Sequence, residues 1–136
     1  PGRFEIVGRH PLVVLDGAHN PAGADVVASV VDEEFSEIDE RIYVVGLLRG
    51  RDPVAMLEAL DAASARLVIA TAPATPRAIP AFEVARAATS LDIDCVVVEG
   101  VPAAVQRALD EALVDDLVLI TGSLYVVGEA RARLVP

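Results

Sequence analysis

The sequence predicts a three-layer α/β domain of Rossmann-like type, with a mainly parallel sheet of five or six strands and helices on both faces. Three observations predict it. Five short aliphatic runs, LVVL, IYVVGLL, RLVIAT, IDCVVV and LVLIT, lack the polar alternation of a half-exposed strand and so fit parallel strands buried on both faces. Each is followed by ten to fifteen residues with helical spacing of apolar positions, the length of a right-handed crossover. Between strand and helix lies a short polar loop, closed in two cases by a proline suited to a first helical position (Pro21, Pro53).

Taken in order, RFEIVG at 3–8 alternates apolar and polar and reads as a short edge strand. His10 and Pro11 form a turn, with His10 expected exposed and idle. Leu12–Leu15 is a buried strand that delivers Asp16, Gly17, His19 and Asn20 to a helix start at Pro21. Ala24, Val26, Val27, Val30 and Val31 then share one face of a helix ending near Phe35. The acidic stretch DEEFSEIDE at 32–40 reads as a solvated loop. Strand 42–48 and the loop GLLRGRD lead to a helix over 54–63, and strand 66–71 leads through the proline-rich APATPRAIP to a helix over 81–89. Strand 93–98, helix 102–113, strand 117–121 and a closing helix over 124–134 complete one domain covering residues 1–136.

Composition narrows the function. The formal charge is −10, from 21 acidic against 11 basic residues, and no basic stripe tracks a phosphate backbone, which speaks against nucleic acid. Despite a hydrophobic fraction of 54%, every apolar run is broken well before the ~18 residues of a membrane span, so no membrane partner is expected and the cytoplasm is the natural compartment. All the basic residues are arginine, leaving Arg3, Arg49 and Arg51, near turns, as candidates for bidentate anion contacts. The single Cys95 sits in an apolar run, reads as a buried small hydrophobe, and gives neither a disulfide framework nor a metal cluster.

In a parallel sheet the strand ends Asp16, Gly46, Thr71, Val98 and Thr121 share one rim, where ligands gather. Asp16 and Asn20 can cap the helix at Pro21 or meet a ligand there. Ser123, between the last strand and its helix, can be a plain N-cap or an anion contact. His19, in a polar loop bounded by Gly17 and Pro21, is not a core residue. There is no G-x-x-x-x-G-K-[ST] and no G-x-G-x-x-G after the first strand. Asp16, His19 and Ser123 fail as a hydrolase triad because the serine lacks a G-x-S-x-G elbow, and Asp16 with His19 lacks a third metal ligand of obvious position.

PGRFE at 1–5, LDGAHNP at 15–21 and TGSLYVVGEAR at 121–131 closely resemble the carboxy-terminal domain of the folylpolyglutamate synthase and dihydrofolate synthase family of the Mur ligase superfamily. The resemblance covers the whole chain and implies that it is the last third of such an enzyme, the ATPase domain with its P-loop being absent. It further implies an ATP-dependent reaction in which a substrate carboxylate becomes an acyl phosphate and the amino group of L-glutamate displaces the phosphate. Arg3 would then reach the ATP phosphates and Asp16 the nucleotide side. His19 would position glutamate, and Ser123 would bind a glutamate carboxylate. Arg51 stands before Asp52 where the family often has lysine, so a fork replaces a point charge in the amino-acid contact. No catalytic residue and no metal ligand is assigned to this chain. Mg²⁺ and the folate or dihydropteroate pocket would come mainly from the missing amino-terminal ATPase domain. The alternatives are a Mur-type ligase of cell-wall precursors, or a stand-alone non-catalytic α/β module binding a small anion.

Overall fold

A computed structural model of the chain describes residues 3–136; Pro1 and Gly2, which open the PGRFE motif, lie outside the described residues. The elements are β1 (Glu5–Arg9), β2 (Leu12–Asp16), α1 (Pro21–Glu34), β3 (Arg41–Val45), α2 (Pro53–Ala59), β4 (Leu67–Ala70), α3 (Ala81–Ser90), β5 (Cys95–Val97), α4 (Val101–Glu111), β6 (Leu117–Thr121) and α5 (Leu124–Leu134), with a 3₁₀ turn at Ala62–Ser64. The strands form one sheet in the order β1-β2-β6-β3-β4-β5. Only β1 runs antiparallel to its neighbour. The predicted mainly parallel class holds, with six strands.

Two apolar layers sandwich the sheet because each central strand is aliphatic on both faces. Val14, Tyr43, Val45, Val68 and Leu119 pack beneath α1, α2 and α3 through Ala24, Val27, Val31, Met56, Leu57, Val84 and Ala88. Val13, Leu15, Ile42, Val44, Ile69 and Ile120 pack on the other face beneath α4 and α5, through Val101, Val105, Ala108, Val126 and Ala130. The last strand thus enters the middle of the sheet, between β2 and β3, and its helix leaves on the face opposite to α1 and α2. That reversal makes the carboxyl ends of β2, β6 and β3 a switch point, the place where open α/β sheets form a ligand crevice.

Local chemistry sets the helix starts. Asn20 caps α1 by accepting from Gly23 N at 2.9 Å. Asp52 caps α2 by accepting from Val54 N at 3.0 Å, and Ser123 caps α5 by accepting from Val126 N at 3.1 Å. Such a cap contributes about 1 kcal/mol each.

Several expected boundaries shift for physical reasons. Helix α2 stops at Ala59 and the 3₁₀ turn takes up residues expected to be helical, with Asp61 at φ +52° breaking the run. Strand β5 keeps three residues rather than six, being an edge strand with one neighbour. Cys95 on it is half-buried rather than core, and its partial burial pushes the thiol above its ordinary value. The apolar stripe of α1 is also wider than its core needs: Val26 is 63% exposed while Ala24, Val27, Ala28 and Val31 are buried.

Candidate functional site

The crevice is built on a register. Thr121, the last residue of β6, lies opposite Asp16 of β2 on one side and Val45 of β3 on the other. Beyond them the chain turns away in three loops, 17–20, 46–52 and 122–123, with Gly46 N donating to Thr121 O at 3.3 Å. Gly122 has φ +120°, and a Cβ there would stand 2.0 Å from the carbonyl oxygen of Gly46. Only glycine satisfies both conditions, so the two loops meet backbone to backbone.

Asp16 is the hub of the neighbouring loop. Its carboxylate is buried and accepts from Ala18 N at 2.8 Å through Oδ1 and from Phe4 N at 2.7 Å through Oδ2. It does not cap α1; Asn20 does. The bond to Phe4 fixes the segment leading into β1, and Phe4 takes φ +39° to make it. Two further contacts hold that segment. The Phe4 ring stacks on Phe35 with centroids 5.6 Å apart, and Arg131 of α5 grips Glu5 with both guanidinium Nη groups, Nη1 to Oε2 at 2.6 Å. The hydrogen bonds it donates to the Glu5 carboxylate hold the Arg131 guanidinium above its usual value.

These anchors place Arg3 over the loop, exposed. Arg3, Phe4, Asp16, His19 and Asn20 line one open cavity of about 520 Å³, whose lining also includes Val26, Val30 and Leu124. Val26 and Leu124, 63% and 65% exposed, thus give this cavity an apolar wall. His19 is exposed, its Nδ1 lying 3.4 Å from Gly17 O. A cavity with a planar cation, a carboxylate with lone pairs to spare and an apolar wall has the chemistry to hold a nucleotide.

The other expected contacts are arranged differently. Ser123 is fully buried and its oxygen already accepts the α5 cap bond, so the capping role is realised and the side chain is not on the open rim. Its own hydroxyl proton remains to donate. Arg49 and Arg51 are exposed on the loop before α2 and, with Arg3, have no carboxylate within ion-pair distance among the described residues. Neither Arg51 nor Ser123 lines the cavity that holds Arg3, Asp16 and His19. His10 is exposed at the opposite end of the sheet, as expected. Among the described residues no three His, Cys, Asp or Glu side chains are grouped to hold a metal ion, and no helix is long and apolar enough to cross a membrane. Sequence reasoning missed the pin from Phe4 to Asp16, because a backbone donor twelve residues away leaves no composition signal. It also passed over Arg77, whose guanidinium lies over the Tyr125 ring at 5.9 Å.

Comparison with known proteins adds three findings. Residues 2–124 match the family described as Mur ligase, glutamate ligase domain. A Halobacterium salinarum protein named "Probable bifunctional folylpolyglutamate synthase/dihydropteroate synthase" is 42% identical over 134 residues, which are 98% of this chain and 16% of that protein. Two solved structures superpose closely. Mycobacterium tuberculosis folylpolyglutamate synthase complexed with ADP has TM-score 0.86 and 28% identity, over 100% of this chain and 32% of that one. A bifunctional folylpolyglutamate synthase/dihydrofolate synthase with Mn, AMPPNP and L-glutamate bound has TM-score 0.83 and 27% identity, over 98% of this chain and 31% of that one. The chain therefore spans about a sixth of the first relative's length and about a third of the two solved ones.

Proposed function

The chain belongs to the Mur ligase family as a glutamate ligase domain of the folylpolyglutamate and dihydrofolate synthase type, and from that membership we propose that it is the carboxy-terminal domain of an enzyme adding L-glutamate to a folate or dihydropteroate at the expense of ATP. In this reading an amino-terminal ATPase domain holds the nucleotide and Mg²⁺, and this domain closes over the nucleotide and brings the amino acid. The observation that carries the reading is the single cavity lined by Arg3, Asp16 and His19, on a domain whose solved relatives bind ADP in one case and Mn, AMPPNP and L-glutamate in another.

ATP supplies the phosphoryl group that makes the acceptor carboxylate reactive; the glutamate nitrogen then forms the C–N bond as the C–O bond to phosphate breaks. The residues of this chain position and neutralise rather than react. The Arg3 fork meets phosphate oxygens. Asp16 has spent two of its roughly four acceptor sites on Phe4 N and Ala18 N and keeps the rest for the sugar hydroxyls. His19, on the lip of the same cavity, orients the amino acid. Arg51 offers a planar cation to a glutamate carboxylate, and the Ser123 hydroxyl donates to the same substrate once closure brings it within reach.

The test is a kinetic split in the complete enzyme that carries this chain. Arg3→Ala should raise KM for ATP, and His19→Ala should raise KM for L-glutamate at least about tenfold, near 1.4 kcal/mol, with ATP affinity retained. Unchanged glutamate dependence in His19→Ala would sink the amino-acid role.

A further inference from the structure

We propose that Arg131 of α5 is a positioning residue for the nucleotide: by gripping Glu5 it fixes the segment that carries Arg3 and so sets the affinity for ATP. The proposal rests on the reading above, in which Arg3 meets the ATP phosphates, and adds to it a residue that does not itself line the cavity.

Strand β1 gives this segment little support of its own. It is an edge strand bonded only to β2, and its register breaks between Ile6 and Gly8. The residues before the break are held by side chains instead, on both faces of the sheet. Phe4 and Ile6 pack against the layer beneath α1, α2 and α3, and Val7 against the layer beneath α4 and α5. The alternation of a strand then sends Glu5 to the same side as Val7, where Arg131 meets it with both Nη groups, Nη1 to Oε2 at 2.6 Å. On the other face the Phe4 ring stacks on Phe35 at 5.6 Å. In the plane of the sheet Phe4 N donates to Asp16 Oδ2 at 2.7 Å.

Arg3 is the residue next to this three-sided hold. It is exposed and has no carboxylate within ion-pair distance among the described residues, so its place on the cavity follows from the backbone of Phe4 and Glu5. Phe4 takes φ +39°, a left-handed conformation that a side chain disfavours. Such a conformation persists only where its surroundings over-determine it. The Glu5 clamp is one of those surroundings, and it comes from a helix that also builds the cavity. Leu124, Val127 and Arg131 follow one another at helical spacing on one stripe of α5. Leu124 lines the cavity, Val127 is buried in the layer beneath the helix, and Arg131 takes Glu5. One rigid element thus carries part of the cavity wall and the anchor of the segment opposite.

Stability alone is a weak reason for the pair. The side chains of Arg131 and Glu5 are 33% and 30% exposed, and ion pairs so open to solvent add little to folding. What the guanidinium supplies is orientation, since two parallel bonds to one carboxylate fix direction as well as distance.

Arg3→Ala, Arg131→Gln, Arg131→Lys and the double variant Arg3→Ala/Arg131→Gln would be compared in the complete enzyme that carries this chain. Arg131→Gln is expected to raise KM for ATP about fivefold, with kcat and KM for L-glutamate within about twofold of wild type. Arg131→Lys should recover part of that loss, because the charge returns without the fork. In the Arg3→Ala background, Arg131→Gln should add less than about twofold, since a residue that acts through Arg3 then has nothing left to position. If Arg131→Gln multiplies KM for ATP equally with and without Arg3, or leaves it unchanged where Arg3→Ala raises it, the pair is a structural strap and the proposal falls. If Arg3→Ala is itself silent toward ATP, the nucleotide role of Arg3 falls and Arg131 goes with it. Should Arg131→Gln fail to fold, Arg131→Lys with and without Arg3→Ala decides by the same criterion.

Discussion

The two ends of the sheet treat the same residue type in opposite ways. At the pole where the parallel strands begin, Arg41 pairs with Asp32, Arg107 with Glu111, and Arg66 lies within ion-pair distance of Glu40, Glu111 and Asp116. Arg9 aside, the arginines there are consumed by structure. On the rim where the strands end, Arg131 pairs with Glu5 to hold the segment before β1, but Arg3, Arg49, Arg51 and Arg77 have no such partner among the described residues. The carboxylates near them are already engaged: Asp16 by the backbone N–H groups of Phe4 and Ala18, Asp52 by that of Val54 in the first turn of α2, and Glu129 by that of Ala74. The difference teaches where stability and function sit. A paired arginine holds elements together, whereas the unpaired, exposed arginines of the rim are the ones that the proposed reading assigns to anionic substrates.

The largest break in this comparison comes from the rim's backbone. Gly122→Ala puts a methyl group against the Gly46 carbonyl at an unfavourable φ, and we expect a loss of about 3 kcal/mol or more from overpacking and strain together. Urea unfolding of the chain measures it, and a midpoint unchanged from wild type would show that the two loops are free to part.

Next comes a paired substitution that should separate the two ends. Arg66→Ala removes the hydrogen bond to Glu111 O at 3.0 Å and the cation beside the buried Asp116, and should cost about 1 kcal/mol of stability with glutamate and ATP kinetics intact. Arg51→Ala should do the reverse, holding the urea midpoint within about 0.5 kcal/mol while raising KM for L-glutamate. Equal effects of both variants on stability would erase the distinction.

The smallest expected effect has opposite signs at the two ends. Raising NaCl from 0.1 to 1 M shortens the screening length from ~10 to ~3 Å, which relieves the self-repulsion of a chain with net charge −10. The melting temperature should rise by roughly 2–4 °C, under about 1 kcal/mol. The same salt should weaken glutamate binding at the open rim, read as a higher KM. A melting temperature that falls with salt would mean that the ion pairs at the pole where the strands begin outweigh the self-repulsion of the chain.

Much of this was legible beforehand. Asn20, with Asp16 as its rival, and Ser123 could be picked out as caps, and Pro53 as a helix start, because capping depends on residues three or four positions apart; that Asp52 caps α2 came only with the structure. The aliphatic runs named the central strands for the same local reason, and β2, β6 and α5 fall where periodicity put them. The edges were harder. The length of β5 depends on having one neighbour rather than two, and the end of α2 on Asp61, neither of which a hydrophobic period reports. At the site, the motifs pointed to Arg3, Asp16 and His19, which do share a cavity. Val26 and Val30 looked like core and instead form its wall, since helical spacing shows which residues share a face but not what covers that face.

By itself the sequence determined the α/β class, the order of strands and helices, the polar loops at the strand ends, and the family to which those loops belong. The tertiary structure decided which loops meet. It set β6 between β2 and β3, brought Gly122 against Gly46, tied Asp16 to Phe4 rather than to its own helix, buried Ser123, and carried Arg77 to Tyr125. The reason is the range of the forces involved. Caps, turns and periodicity are settled among near neighbours in the chain, while strand order and loop contacts follow from how crossovers bury both faces of one sheet at once.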